Sequence, residues 1–297
     1  MTSHGLELAV AKTEIVMLTR KRIPTLITMN VGEVEVRTKT AAKYLGITLD
    51  CQLRFWEHLQ LVCKKASKVV GSLSSLMRNV GGPRSSKRRL LMSTVNSILL
   101  YGAEVWAGAM RTKRYSKRVL AVQRTAALRV ACAYRTVSAL AVMVVAGVIP
   151  LDLLAVERQA IFVGAPELGR KEAARAARER TLRVWQQRWD EGAEGRWTYR
   201  LIGNLVSWVD RGHGEIDFFL CQFLTGHGYF RRYLHLMGKI RSPRCSYCPE
   251  EEDDSCHTFF QCGRFDDDRR LLAATLGAFT PESIVGVMLE SEEKGGQ

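Results

Sequence analysis

The spacing of apolar side chains changes period along this chain, and the changes lay out its elements. Over residues 14–18 and 31–36, β-branched residues alternate or cluster with polar ones, and Asn30 and Gly32 supply turn chemistry nearby. That pattern predicts short strands in one or two hairpins, with residues 44–50 continuing as a strand that ends in a polar turn. From Phe55 the period lengthens. Leu59, Val62, Cys63, Ala66, Val69, Val70 and Leu73 recur at spacings of three and four, the mark of an amphipathic helix, which Gly81, Gly82 and Pro83 are expected to break. Two more helices are predicted over 85–101 and 116–133, each with an apolar face opposed by Arg and Lys. The longest apolar run, 139–149, reads as a buried helix or strand. Residues 175–196 are Ala- and Arg-rich with Trp185 and Trp189 four apart, again helical. Gly226, Gly228, Gly238 and Pro243 then punctuate the approach to a cysteine cluster. The expected fold is mainly α with a small α+β N-terminal portion.

Composition agrees with a folded chain: 297 residues, 46% of them hydrophobic, are enough for a real core. Charge changes the picture more. The net charge is +14, and its distribution is uneven. From His58 to Leu151 there are sixteen Lys or Arg against a single acid, Glu104. The positions expected to meet a polyanion are Lys64, Lys65, Lys68, Arg84, Lys87, Arg88, Arg89, Arg111, Lys113, Arg114, Lys117 and Arg118. A merely solvated face usually mixes both signs, whereas density of one sign suits a phosphate backbone that releases its counterions on binding. No stretch reaches the roughly 18–20 uninterrupted apolar residues of a membrane span, so nucleic acid is the expected partner and a membrane is not. Met1 to Gly5 is polar and has no secretory pattern, which sets the expectation of an intracellular protein. After Pro249 the balance reverses in five consecutive acids, Glu250 to Asp254.

Eight cysteines in a reducing compartment point to metal or core positions before disulfides. Cys51, Cys63, Cys132 and Cys221 sit among apolar residues and read as core. The other four lie between 245 and 262. Cys245, Cys248, His257 and Cys262 follow a C-x2-C-x8-H-x4-C spacing, two thiolates on a tight knuckle and a His and Cys about one helical turn apart, which suits tetrahedral Zn²⁺. Four protein ligands close such a site and make it structural. Cys256, beside His257, is a competing ligand. No nucleophile assembly or phosphate loop stands out: His213 and His227 lack a defined carboxylate partner, and Asp152, Asp210 and Asp217 are too scattered for a two-metal pair.

Four stretches carry a resemblance to a known family. Gly5-Leu-Glu-Leu with Lys12-Thr-Glu-Ile-Val-Met-Leu18, then Tyr44-Leu-Gly-Ile-Thr-Leu-Asp50, then Leu100-Tyr-Gly-Ala-Glu-Val-Trp106, then Phe223-Leu-Thr-Gly-His-Gly-Tyr-Phe230 followed by Ser242-Pro-Arg-Cys245 occur in this order. The chain resembles the C-terminal part of the Pol protein of insect-type, non-long-terminal-repeat, type-1 retrotransposable elements, which encode an endonuclease and a reverse transcriptase. The resemblance implies a division into a palm remnant with primer-grip hairpin (1–55), a basic helical thumb (56–165), a helical linker (166–240), a CCHC zinc knuckle (241–270) and an acidic tail (271–297). It implies that Lys12 lies near the incoming nucleotide, that Tyr44, Leu45 and Gly46 grip the primer end, and that Cys245, Cys248, His257 and Cys262 hold zinc. The basic helices would hold an RNA/DNA template-primer duplex, recognised by its A-like shape, and target DNA. Nuclear action follows from the same likeness.

The family's Ala-Asp-Asp motif is absent from these 297 residues, so the chain is expected to be inactive alone, with magnesium and nucleotide transfer belonging to the parent polymerase only. A fragment of a longer reading frame, a degenerate copy and a relic with a marginal fold are all compatible with that. The alternative function is a stand-alone zinc-knuckle nucleic-acid-binding protein with no enzymatic role. Trp185 and Trp189 suit either packing in a core or stacking on bases. Oligomeric state is not legible.

Overall fold

The computed structural model describes residues 13–290 apart from 22 and 33. Lys12 and the Gly5 stretch lie outside the described residues. Two small antiparallel hairpins open the fold. Thr28–Val31 (β1) pairs with Val34–Arg37 (β2), and Ala41–Tyr44 (β3) pairs with Ile47–Asp50 (β4). The strand expected to run straight through 44–50 is therefore broken. Leu45 and Gly46 both take positive φ, 46° and 86°, the two-residue turn that matches strand twist. The strand expected over 14–18 is reduced to one bridge, Val16 beside Lys39.

Asp50 couples the second hairpin to the helices. Its carboxylate accepts the backbone N–H groups of Gln52, Arg54 and Phe55 at 3.0, 3.0 and 2.6 Å, satisfying donors ahead of α1, Trp56–Ser74. That helix ends before Gly81, not at it. Residues 75–84 instead turn around one buried side chain, Arg88, which belongs to α2, Ser85–Leu99. The chain continues through α3, Ala103–Trp106, a 3₁₀ turn at Ala107–Arg111, and α4, Lys113–Val130. The longest apolar run resolves as a helix, α5, Ala139–Ala146, with Ser138 capping the Ala141 N–H and Ala141 to Ala146 all buried. A helix apolar all round belongs at the centre of a core.

Next come α6, Leu151–Leu168, and α7, Arg170–Glu191, joined at Gly169. The 165/166 border drawn from sequence falls inside α6. Along α7 the buried residues are Ala173, Ala177, Thr181, Trp185 and Trp189, one every four positions. Both tryptophans are core, and Trp189 donates to the Ile202 carbonyl at 2.8 Å, so base stacking by this pair is ruled out. Asp152 pairs with Arg188 and Glu157 with Arg178, each at 2.7 Å, locking the antiparallel hairpin. Short helices follow: α8, Arg196–Leu201; α9, Leu205–Val209; α10, Phe218–Thr225; α11, Arg231–Leu236; α12, Asp266–Leu276; and α13, Ile284–Glu290. The stretch from 271, expected as an acidic tail, carries the end of α12 and α13, whose Ile284 and Val285 enter the same continuous core that begins at Ile47. Apolar residues on one face of a short helix are sufficient to recruit it. The described fold is thus mostly helical with small antiparallel sheets, and no single described helix is long and apolar enough to cross a membrane.

Candidate metal centre and nucleic-acid interface

The cysteine cluster closes as its spacing demands. The ligand atoms of Cys245, Cys248, His257 and Cys262 all lie within 4.8 Å of one another. The Cys262 sulfur is 3.8 Å from that of Cys245 and 4.0 Å from that of Cys248, close to the roughly 3.8 Å edge of a tetrahedron with metal–sulfur bonds of about 2.3 Å. Both ring nitrogens of His257 are buried and have no hydrogen-bond partner among the described residues. A buried imidazole left bare costs free energy, and a metal bond to one of its nitrogens relieves part of it, so the residues fit a zinc ion. Burial pushes the Cys245 thiol up, but the Tyr247 and Cys248 N–H groups, with the neighbouring His257 and Cys262 side chains, outweigh it and hold it at about 7. A thiol so poised readily gives the thiolate that a metal needs. Cys256 is outside the cluster. Its sulfur faces the Arg200 guanidinium at 4.0 Å, and burial raises its thiol.

Backbone hydrogen bonds shape the knuckle: Cys245 N–H to Glu251 O, Glu251 N–H to Cys248 O, and Cys262 N–H to His257 O at 2.9, 2.9 and 2.7 Å. The acidic run is structural here. Asp254 accepts the His257 N–H at 2.9 Å, Asp253 accepts the Arg231 N–H at 3.1 Å and the Thr258 hydroxyl at 2.6 Å, and Arg232 bridges Glu252 and Asp254. The 223–230 stretch seats this unit on the helices. The Phe223 carbonyl accepts from Trp197 Nε1 at 2.7 Å and from the Ser255 hydroxyl at 3.0 Å. Gly228 is needed because a Cβ there would stand 2.1 Å from Gln222 Oε1, the atom that accepts the Tyr229 N–H.

Two of the resembling motifs touch each other. The Tyr101 hydroxyl donates to the Leu45 carbonyl at 2.9 Å, and a Cβ on Gly102, whose φ is 63°, would stand 2.4 Å from Ile47 Cδ1. Trp106 donates to the Tyr101 carbonyl at 2.8 Å. The β3–β4 turn is thereby fixed to the helices with Tyr44 and Leu45 exposed at its tip.

The basic positions divide into three groups. Lys64, Lys65 and Lys68 are exposed on α1, and Arg111, Lys113, Arg114, Lys117 and Arg118 are exposed at and before the start of α4. The two helices lie side by side in the same direction: Trp56 stacks on Tyr115 at 4.8 Å, with the Arg114 guanidinium 4.5 Å from the Trp56 ring centre. None of these eight forms a salt bridge among the described residues. Arg84, Lys87 and Arg89 form the second group at the start of α2, near the other end of α4. Arg88 is the third case and corrects the expectation. It is 1% exposed, and its guanidinium donates to the carbonyls of Pro83, Met77, Arg78 and Arg129. It neutralises carbonyls left open near helix C-termini and presents nothing to a partner. The sequence carried the signal, since Arg88 shares a face with Met92, Val95 and Leu99.

The chain is 28% identical over 309 residues to the putative 115 kDa protein in type-1 retrotransposable element R1DM of Drosophila melanogaster, covering 97% of this chain and 30% of that protein. It is 30% identical over 255 residues to the Pol polyprotein of the R1 element of Bradysia coprophila, covering 78% of this chain and 25% of that protein. An R1 Pol polyprotein of Nasonia vitripennis is 26% identical over 231 residues, covering 72% of this chain and 68% of that protein. The chain therefore spans under a third of the Drosophila and Bradysia proteins. No family model and no solved structure matches. Over most of its residues, then, the chain is similar at 26–30% identity to proteins of type-1 R1 retrotransposable elements, Pol polyproteins among them.

Proposed function

We propose that this chain holds an RNA/DNA template-primer during target-primed reverse transcription, as the nucleic-acid-handling part of an R1-type Pol protein whose catalytic aspartates lie outside these residues. One observation carries the reading: eight exposed cations on α1 and around the start of α4, with no salt-bridge partner among the described residues, beside a hairpin tip presenting Tyr44 and Leu45. Glu57 is the one acid on α1 and α4 has none; like charges gathered in such excess repel one another, and a polyanion relieves that cost. The relatives' names, Pol polyproteins of retrotransposable elements, point to the same ligand class.

On this reading residues 56–165, from α1 through most of α6, are the thumb, the β3–β4 turn is the primer grip, residues 166–240 are the linker, and residues 241–270 carry the zinc knuckle. Zinc, held by Cys245, Cys248, His257 and Cys262, fixes the knuckle's shape and takes no part in chemistry. RNA and DNA are the partners and the nucleus the place of action. Polymerisation, endonuclease cleavage and magnesium belong to the parent protein. Replacing Lys64, Lys65, Lys113, Arg114, Lys117 and Arg118 with Glu is expected to abolish most affinity for an RNA/DNA hybrid while circular dichroism stays unchanged; retained affinity would move the ligand elsewhere. Primer extension by the purified chain is expected to give no product, and robust synthesis would overturn the reading.

A further inference from the structure

Two cavities meet at one wall on the knuckle side of the molecule. The first, about 430 Å³, opens beside the metal cluster and is floored by Phe223, Phe230 and Phe259 with Phe219, Tyr229 and Tyr247 at its rim. Its rim rings are unusually bare: Phe219 is 67% and Tyr229 76% exposed. Arg264 lies 4.6 Å over the Tyr247 ring. The second cavity, about 750 Å³, shares Phe219, Phe223 and Phe259 with the first and is lined on its far side by Arg84, Arg89, Arg211 and His213. Both volumes are in the range of small-ligand sites, roughly 300–1,000 Å³.

The arginine side is under electrostatic tension. The guanidinium groups of Arg211 and Arg89 converge on Gly147, their Nη1 atoms 3.4 and 3.6 Å from where a Cβ would stand. Burial first, and then the Arg89 charge, lower the Arg211 guanidinium to about 10, and Arg211 Nη2 is buried with no hydrogen-bond partner among the described residues. Glu215 and Asp217 also line this cavity, and the ionised Glu215 offsets part of the charge of Arg89 and Arg211, leaving the three arginines in excess. Glu215 accepts from the Ser85 hydroxyl and the Ser86 N–H at 2.5 and 3.0 Å, Asp217 caps the Leu220 N–H at 2.7 Å, and Asp253 is held by Arg231 and Thr258. What remains is an aromatic cavity that takes flat apolar rings, continuous with a cationic one that takes an anion. Unpaired nucleotides offer both at adjacent positions, whereas a duplex hides its ring faces.

We infer that a single-stranded stretch of nucleic acid crosses the Phe219 ridge, stacking its bases among Phe219, Tyr229 and Phe259 and lodging its phosphates against Arg84, Arg89 and Arg211. The inference deepens the proposed function and rests on it: duplex is held on α1 and α4, and a displaced or unpaired strand is held beside the knuckle.

The test uses the full zinc-loaded chain and a ~12-nucleotide single strand carrying 2-aminopurine, a length within the site sizes of stacking platforms. Binding is expected to quench the probe. The double variant Phe219→Ala, Tyr229→Ala, both at exposed positions, is expected to bind the single strand at least about tenfold more weakly and to lose the quench, with affinity for an RNA/DNA hybrid unchanged; Phe219→Trp, which keeps a stacking face, is expected to retain both. Unaltered single-strand affinity and quench in the double variant would overturn the inference and leave the cavity to an apolar protein segment. A wild-type chain that binds neither probe would instead fail the proposed function itself, so the two failures are distinct.

Discussion

Arg88 and Lys87 are adjacent cations in one basic run, yet they do opposite things. Lys87 is exposed, while Arg88 satisfies four carbonyls inside the fold. Arg88→Met keeps much of the volume but leaves those carbonyls unmatched, and is expected to destabilise by on the order of 3 kcal/mol in urea unfolding. Lys87→Met is expected to stay within about 0.5 kcal/mol; equal effects would contradict the assignment. The 88, 92, 95, 99 spacing made the burial legible, and the sign of the charge hid it. Glycines give a second contrast. Gly102→Ala places a Cβ against Ile47 at φ 63°, and is expected to cost about 1–3 kcal/mol and to loosen the β3–β4 turn. Gly108 has nothing within 4 Å of a Cβ and no positive φ, so Gly108→Ala is the neutral control.

At the scale of elements, helices were legible where the apolar stripe was regular. The spacing from Leu59 to Val70 places α1, and the Trp185–Trp189 interval marks the buried face of α7. Ends and strands were less legible because tertiary partners decide them. The carbonyls of Met77 and Arg78 go to Arg88, so the chain leaves the helix before its glycines, and the turn at Leu45 asks a leucine for a left-handed conformation held by the Tyr101 hydroxyl. The metal centre was the most legible element of all, since Cys and His at this spacing have few other uses. What the spacing left open was Cys256, and its position beside Arg200 answers that. One tightly bound zinc per chain is expected by metal analysis. Chelation is expected to raise hydrogen exchange across residues 243–262 while α1, α2, α4 and α7 stay protected; an absence of zinc, or no change on chelation, would remove the centre.

For the whole molecule, charge is the property that sequence made plainest and structure refined. The +14 excess is not spread evenly. Part of it faces outward on α1 and α4, part lines the cavity around Arg211, and part is consumed by the fold. The acidic run after Pro249, where the charge balance reverses, holds the Arg231 backbone and the Arg232 side chain and so shapes the loop around the cysteine cluster. One core from Ile47 to Val285 ties the second hairpin, the helices and the last described helix together, so the cationic face of α1 and α4 is backed by the same core that α13 enters.

The central claim is that a phosphate backbone lies along α1 and α4. Its most direct test is the affinity of the purified chain for an RNA/DNA hybrid measured across salt concentration. A log–log slope steeper than about −4 is expected, corresponding to at least five neutralised phosphates at roughly −0.9 each, and the slope should shrink when the α1 and α4 cations are replaced. No binding in dilute buffer, or a slope near zero, would contradict the account.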